Sequence, residues 1–207
     1  MVDLSAKIVC FDGFDELDAI GPYEVLENGA RAGASIETRL VTLEPTDRVT
    51  ASHGLRIEPD GVLGDGSGQG TDSADRPDLL LVPGGGWVDG GGVRTVVADG
   101  RLSEIAAGLH ADGTTIASVC TGAMVLAHAG LLEGRHATTH RDAIADLGAH
   151  ADVADARVVD DGDVLTAGGV TAGLDLALWL LEREFGADVA EQVAREMEHE
   201  RRGEVVR

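Results

Sequence analysis

The chain has 207 residues, enough for one domain with a sizeable core, and 43% of them are hydrophobic although only 3% are aromatic. Its 37 acidic and 16 basic residues leave a formal net charge of −21, with Lys7 the only lysine. A surface of that sign argues against nucleic acid and anionic membranes as partners, no apolar run is long enough to cross a bilayer, and two cysteines do not make a disulfide framework. Molar salt cuts the Debye length to about 3 Å and screens the self-repulsion, so a salt-rich cytoplasm is the expected setting. The N-terminus opens straight on a strand pattern with no leader signal, which fits the same location.

The stretch KIVCFD, residues 7 to 12, reads as a short apolar strand with Cys10 inside it, followed by a turn at Gly13. Helical spacing of Leu17, Ile20, Val25 and Leu26 predicts a helix ending at Gly33. Residues 35 to 43 alternate and are β-branched, which predicts a strand, and residues 49 to 59 read as a short hairpin or an extended excursion. Residues 60 to 77 are rich in Gly, Asp and Ser and are expected as one surface loop. The G-x-G-x-G run inside it lacks the strand before and the helix after that a dinucleotide fingerprint needs.

Residues 78 to 92, DLLLVPGGGWVDGGG, predict a fully buried strand entering a glycine-rich loop. A helix is expected from Val93 to Gly113 with a break at Gly100, then a second buried strand over 114 to 119. A helix is expected over 121 to 134, an extended piece over 136 to 140, and a short helix over 141 to 149. A hairpin turning near Asp161 and Gly162 follows, and then helices over 171 to 186 and 187 to 200. Apolar strands alternating with helices mean an α/β fold with a mostly parallel sheet covered on both faces, whose sites form beyond the carboxyl ends of the strands.

Cys120 stands at such an end, between strand and helix, with Ser118, Thr121, Gly122 and Ala123 around it. A thiol there faces unpaired helix N–H groups, which favours the thiolate and a nucleophilic role at a sharp strand-to-helix bend. The plain alternative is a buried apolar cysteine, and Cys10 is read that way. Asp18 early in a helix is, on position alone, a charge complement to the helix dipole, and Gly85 an ordinary strand-end turn. His136 and His140 form no zinc-protease pair, because Ala137 stands where that motif needs Glu. The acidic end with Glu196, Glu198, His199 and Glu200 reads as a solvated helix end, and no ligand set has metal spacing.

DELDAIGPYEVL, LLLVPGGG, SVCTGAMVLAHAGLLEGRHATTH and AGGVTAGLDLAL, in this order along the chain, resemble the ThiJ/PfpI superfamily, and within it the isonitrile hydratase branch and its amidase-like relatives. The resemblance implies a flavodoxin-like three-layer sandwich of the glutamine amidotransferase type, as a single domain over 1–207 with a core of about 7–187 and a helical tail over 188–207. It implies that Cys120 is the elbow nucleophile, that Asp18 is the acid aimed at its sulfur, and that Thr121 follows the nucleophile where protease-like branches carry a histidine. It implies that the Gly85 and Thr121 amides line an anion hole, with Gly86 and His140 in the pocket. His140 is otherwise placed to satisfy backbone groups at a strand end. Arg141 departs from the relatives, which often carry an aromatic residue there, and a cation is expected to change the pocket's polarity. No cofactor is implied. The expected partners are a small-molecule substrate and a second copy of the chain, packed near the first helix. Two other readings belong to the same superfamily: a redox-responsive or deglycase-like protector, and a ligand-sensing domain like those before the helix-turn-helix of AraC-type regulators.

Overall fold

The computed structural model describes residues 3–64 and 76–207. β1 (Leu4–Val9), β2 (Ile36–Thr42), β6 (Leu79–Val82) and β7 (Thr115–Val119) form the centre of an eight-stranded sheet. β10 (Val158–Asp161) and β11 (Val164–Ala167) extend it on one side, and β12 (Val205–Val206) forms that edge. β5 (Gly61–Val62) forms the other, giving the order β12-β10-β11-β7-β6-β1-β2-β5. Its neighbours run parallel except at the β10–β11 hairpin.

Both faces are covered, and the strands show why. In β6 the side chains of Leu79 and Leu81 enter one core and those of Leu80 and Val82 the other, all four buried. The first core is closed by α1 (Glu16–Arg31), α6 (Ala172–Phe185) and α7 (Ala187–Glu196). The second is closed by α2 (Val93–Asp99), α3 (Arg101–Ala111), α4 (Ala123–His128) and α5 (Ile144–Leu147). Two small ladders lie outside the main sheet: β3 (Val49–Thr50) with β4 (Arg56–Ile57), antiparallel, and β8 (His136–Ala137) with β9 (Asp152–Val153), parallel.

The expected α/β layering is therefore present, with the break at Gly100 taken as a left-handed residue at φ 81°. Four local expectations need correction. β1 ends at Val9, so Cys10 lies just beyond the strand rather than inside it. The helix expected over 121 to 134 starts as a 3-10 turn at Cys120–Gly122 and ends at His128, because Gly130 at φ 73° redirects the chain. Gly61 and Val62, read as loop, pair with Val41 and Thr42, a partner no local pattern reveals. The rest of that loop and its glycine run, residues 65–75, lie outside the described residues. The helical tail is also shorter than expected: α7 stops at Glu196, and Val205–Val206 returns to the sheet beside β10.

The sheet reverses its order between β1 and β6, since the chain passes from β1 outward to β2 and then adds β6 on the opposite side. Crevices beyond the carboxyl ends of strands at such a point are where open sheets place ligands. α1 leaves β1 there, the Pro83–Gly86 loop leaves β6, and Cys120 leaves β7.

Candidate active site

Cys120 adopts φ 56°, a left-handed conformation that a non-glycine residue takes only under constraint. Its neighbours impose it. The Cys120 N–H donates to the Gly168 carbonyl at 3.0 Å, and its carbonyl accepts the Thr139 hydroxyl at 2.7 Å. Gly122 lies so close to the Val82 carbonyl that a Cβ would collide with it, and this lets the turn fold back on β6. The sulfur is thereby turned toward α1 and the loop after β6.

Asp18 comes from the first turn of α1, which Asp15 caps by accepting the Leu17 N–H at 3.3 Å. It is not a solvated charge complement: its exposure is 0%. One carboxylate oxygen, Oδ2, accepts the Gly84 N–H at 3.1 Å, and the carboxyl lies beside the Cys120 thiol. The other oxygen, Oδ1, has no partner. A Cβ at Gly84 would stand 2.5 Å from Asp18 Oδ2 and 2.8 Å from both Cys120 Cβ and the Thr121 nitrogen. Only glycine lets carboxyl, sulfur and loop meet at this point.

Burial, helped by nearby Asp15, pushes the Asp18 carboxyl up to about 7 against the pull of the Cys120 and Gly84 contacts. Burial, with the Asp18 charge second, pushes the Cys120 thiol up to about 12, while the Thr121 and Val170 N–H groups facing the sulfur draw it down. The expectation of a thiol lowered by the helix N-terminus is thus corrected. A single 3-10 turn and the six residues of α4 supply little dipole, and desolvation beside a carboxylate outweighs it. The proton of the Cys120 thiol thus has the Asp18 carboxyl beside it as an acceptor. A carboxyl near 7 is suited to giving and taking that proton at neutral pH.

The anion hole also differs from expectation. The Gly85 N–H donates to the Thr121 hydroxyl at 3.0 Å, and that hydroxyl donates to the Gly85 carbonyl at 2.6 Å. Gly85 is held by Thr121 rather than left open, and the amides facing the sulfur are those of Thr121 and Val170. Val170, at φ 46°, is a residue that sequence reasoning missed, although its GGVTAG setting is the sort of turn where strain collects.

Above the sulfur lies a cavity of about 360 Å³, lined among others by Gly86, Trp87, Cys120, Thr121, His140 and Val170. Cys120 borders this cavity and is 7% exposed as a residue. Trp87 forms one wall, fixed by its indole N–H to Asp146 at 2.7 Å and by Arg94 lying 4.3 Å over the ring. Asp15, Asp89 and Asp142 also border the cavity, with no Arg or Lys among the lining residues. His140 serves in both expected ways: its Nδ1 accepts the Asp142 N–H at 3.3 Å, and its ring borders the cavity. Arg141 is not in the pocket. Its side chain is 89% exposed beside Asp142, so the expected change of polarity does not arise from it.

Asp15, Glu16 and His53 are the one group among the described residues whose ligand atoms lie close enough to hold a metal, within 4.8 Å of one another. Two of the three already bond each other, with Glu16 accepting the His53 backbone N–H at 2.7 Å and meeting His53 Nδ1 at 2.6 Å. Burial alone would raise the Glu16 carboxyl; bonds from the His53 ring, from amides and from Ser52 outweigh it and hold it at about 2. The group clamps the β3–β4 turn onto α1. His199, read as solvated, instead donates to buried Asp175 at 2.9 Å.

The family model for the DJ-1/PfpI family matches residues 4–183. The chain belongs to the DJ-1/PfpI family. It is 36% identical over 203 residues to the isonitrile hydratase of Pseudomonas putida, covering 95% of this chain and 78% of that one. It is 29% identical to the Parkinson disease protein 7 homolog of Danio rerio, covering 93% and 96%. Among solved structures it is similar to a ThiJ/PfpI family protein from Pseudomonas syringae, at 30% identity and a TM-score of 0.80, covering 98% of this chain and 77% of that one. Within the DJ-1/PfpI family, then, this chain carries Asp18 and Thr121 beside its cysteine.

Proposed function

We propose that this DJ-1/PfpI protein is a cysteine-nucleophile hydratase that converts an isonitrile, or a related small molecule, to an N-substituted formamide. The observation that carries the reading is the buried contact of the Asp18 carboxyl with the thiol of Cys120 on a strained bend under an open cavity. The similarity to an isonitrile hydratase supports the choice of substrate.

In the first step the Cys120 sulfur bonds to the terminal carbon of R–N≡C, and Asp18 delivers the thiol's proton to that carbon, giving the thioimidate R–N=CH–S–Cys. Water then adds to the same carbon. Asp18 takes one water proton and passes it to nitrogen, so that R–NH–CH(OH)–S–Cys forms. The C–S bond breaks with the electron pair leaving on sulfur, the hydroxyl proton returns to the dyad, and R–NH–CHO departs. The Thr121 and Val170 amides steady the sulfur whenever it bears charge. The carboxylates of Asp15, Asp89 and Asp142 at the mouth favour substituents that are neutral or cationic over anionic ones.

An absorbance assay with an aryl isonitrile on the unaltered chain, Cys120→Ala and Asp18→Asn tests the reading. Turnover is expected only where Cys120 is present, and undiminished hydration by Cys120→Ala would end the proposal. The redox reading draws less support, because oxidation follows thiolate character and the thiol here is pushed up. The proposed molecule is a homodimer that works in a salt-rich cytoplasm; sedimentation in molar KCl as a single copy would remove the first part.

A further inference from the structure

Behind the sulfur stands a set of polar contacts that the chemistry above does not use. Asp175, in the first turn of α6, is 3% exposed. A carboxylate that deep persists only if its oxygens are taken up by charged or N–H partners. Its Oδ2 meets the Arg157 guanidinium through Nε at 2.7 Å and Nη2 at 2.6 Å. Its Oδ1 meets His199 Nε2 at 2.9 Å and the Arg202 N–H at 3.4 Å. His199 and Arg202 belong to the segment between α7 and β12, so one carboxylate ties the C-terminal chain to a residue beside the active site.

Arg157 grips the loop between β11 and α6 at both ends. Its carbonyl accepts the Gly168 N–H at 2.9 Å, and its guanidinium donates to the Thr171 hydroxyl at 3.2 Å. Between those points lie the two groups that shape the nucleophile. The Gly168 carbonyl takes the Cys120 N–H, and the Val170 N–H faces the sulfur. Val170 is β-branched at φ 46°, a conformation that relaxes unless its surroundings hold it.

We propose that Arg157, Asp175 and His199 form a positioning network that presses residues 168–171 against Cys120, so that the C-terminal segment sets the reactivity of the nucleophile. None of the three touches the cavity. They act through the loop they grip, whose Gly168 carbonyl takes the Cys120 N–H at 3.0 Å and whose Val170 borders the cavity beside Cys120. A guanidinium is suited to the task because one rigid fork serves Asp175 and Thr171 together, which a lysine ammonium does not reproduce. The proposal rests on Cys120 being the reacting atom, but not on the identity of its substrate.

The test is the pH profile of Cys120 alkylation by iodoacetamide in the full chain, with Cys10 counted separately by mass spectrometry. His199→Ala and Arg157→Lys are expected to slow alkylation at fixed pH by about fivefold to tenfold and to displace the profile toward alkaline pH by up to about one unit, the size of losing one hydrogen bond at Cys120. His199→Gln keeps an N–H donor for Asp175 and should return the rate to within about twofold. Val205→Ala loosens the same C-terminal segment away from Asp175; it should lower the thermal midpoint and leave the profile in place. Profiles of His199→Ala and Arg157→Lys that superimpose on the unaltered chain would overturn the proposal. So would a Val205→Ala displacement as large as that of His199→Ala, since the effect would then be general loosening. Alkylation needs no turnover, so a chain that hydrates no isonitrile still decides this question.

Discussion

The two cysteines sit in similar places and do different things. Cys10 and Cys120 each follow the carboxyl end of a central strand, each is buried, and burial pushes each thiol up to about 12. Yet Cys10 is 1% exposed, the polar partner of its sulfur is the Ile8 carbonyl at 3.9 Å, and no positive φ turns it out of the chain's path. Cys120 has a carboxyl, two amides and a cavity around its sulfur. A raised thiol is therefore no mark of function. Cys10 also borders a cavity, so space beside a thiol does not single out the nucleophile; the left-handed bend at Cys120 and the Asp18 carboxyl beside its sulfur do.

Removing each sulfur sharpens that contrast most. Cys120→Ala should lower turnover of a simple isonitrile by at least about a thousandfold with folding intact, in line with losing a covalent catalyst. Cys10→Ala should leave turnover within about twofold and cost about 1 kcal/mol or more in urea unfolding, as expected for a small core truncation. Equal effects of the two would erase the distinction.

Asp18→Asn should come next, with a loss of about a hundredfold or more in kcat/KM. The inflection near pH 7 that the unaltered profile owes to this carboxyl should vanish with it. The same variant carries a stability prediction of definite sign. Asp18 is raised from 3.8 to about 7 on folding, so its favourable contribution is complete below pH 3.8 and is lost as the pH climbs through 7. Asp18→Asn should thus stabilise the fold more at pH 8 than at pH 4, by on the order of 4 kcal/mol at most. Denaturation midpoints with no such pH dependence would mean that the carboxyl is not held as described.

Gly84→Ala should place a methyl between Asp18 and Cys120 and cost about tenfold or more in turnover, read alongside circular dichroism to show that the sheet persists. The smallest and least local effect concerns the charge of −21. Moving from molar to millimolar KCl should lower the thermal midpoint by several degrees, because screened repulsion returns. That change should act on both cysteine regions alike.

Much of the architecture was legible because burial on both faces leaves a simple trace. LLLV at 79–82 is apolar without alternation, TIASV at 115–119 is short and buried nearly throughout, and Gly100 punctuates the helix pair between them. What stayed illegible depended on distant partners. Val62 becomes a strand because Thr42 is beside it, and Val205 because Val158 is. His199 looked solvated because nothing near it in sequence announces Asp175, twenty-four residues away. Arg141 looked like a pocket residue because it follows His140, whereas its side chain leaves the chain on the solvent side.

The pairing of Cys120 with Asp18 came from the family resemblance, since position alone reads Asp18 as a complement to the helix dipole, whereas the layered α/β fold and the bend at Cys120 came from the amino-acid order alone. Spacing and residue type are local properties, and a short strand, a run of small residues and a helix start are enough to write them down. Only the folded chain decided which amides face the sulfur, that Gly85 is occupied by Thr121, and that the thiol is raised rather than lowered. Those outcomes depend on how completely water is excluded and on which groups from remote segments take its place, and neither is a property of any one stretch of sequence.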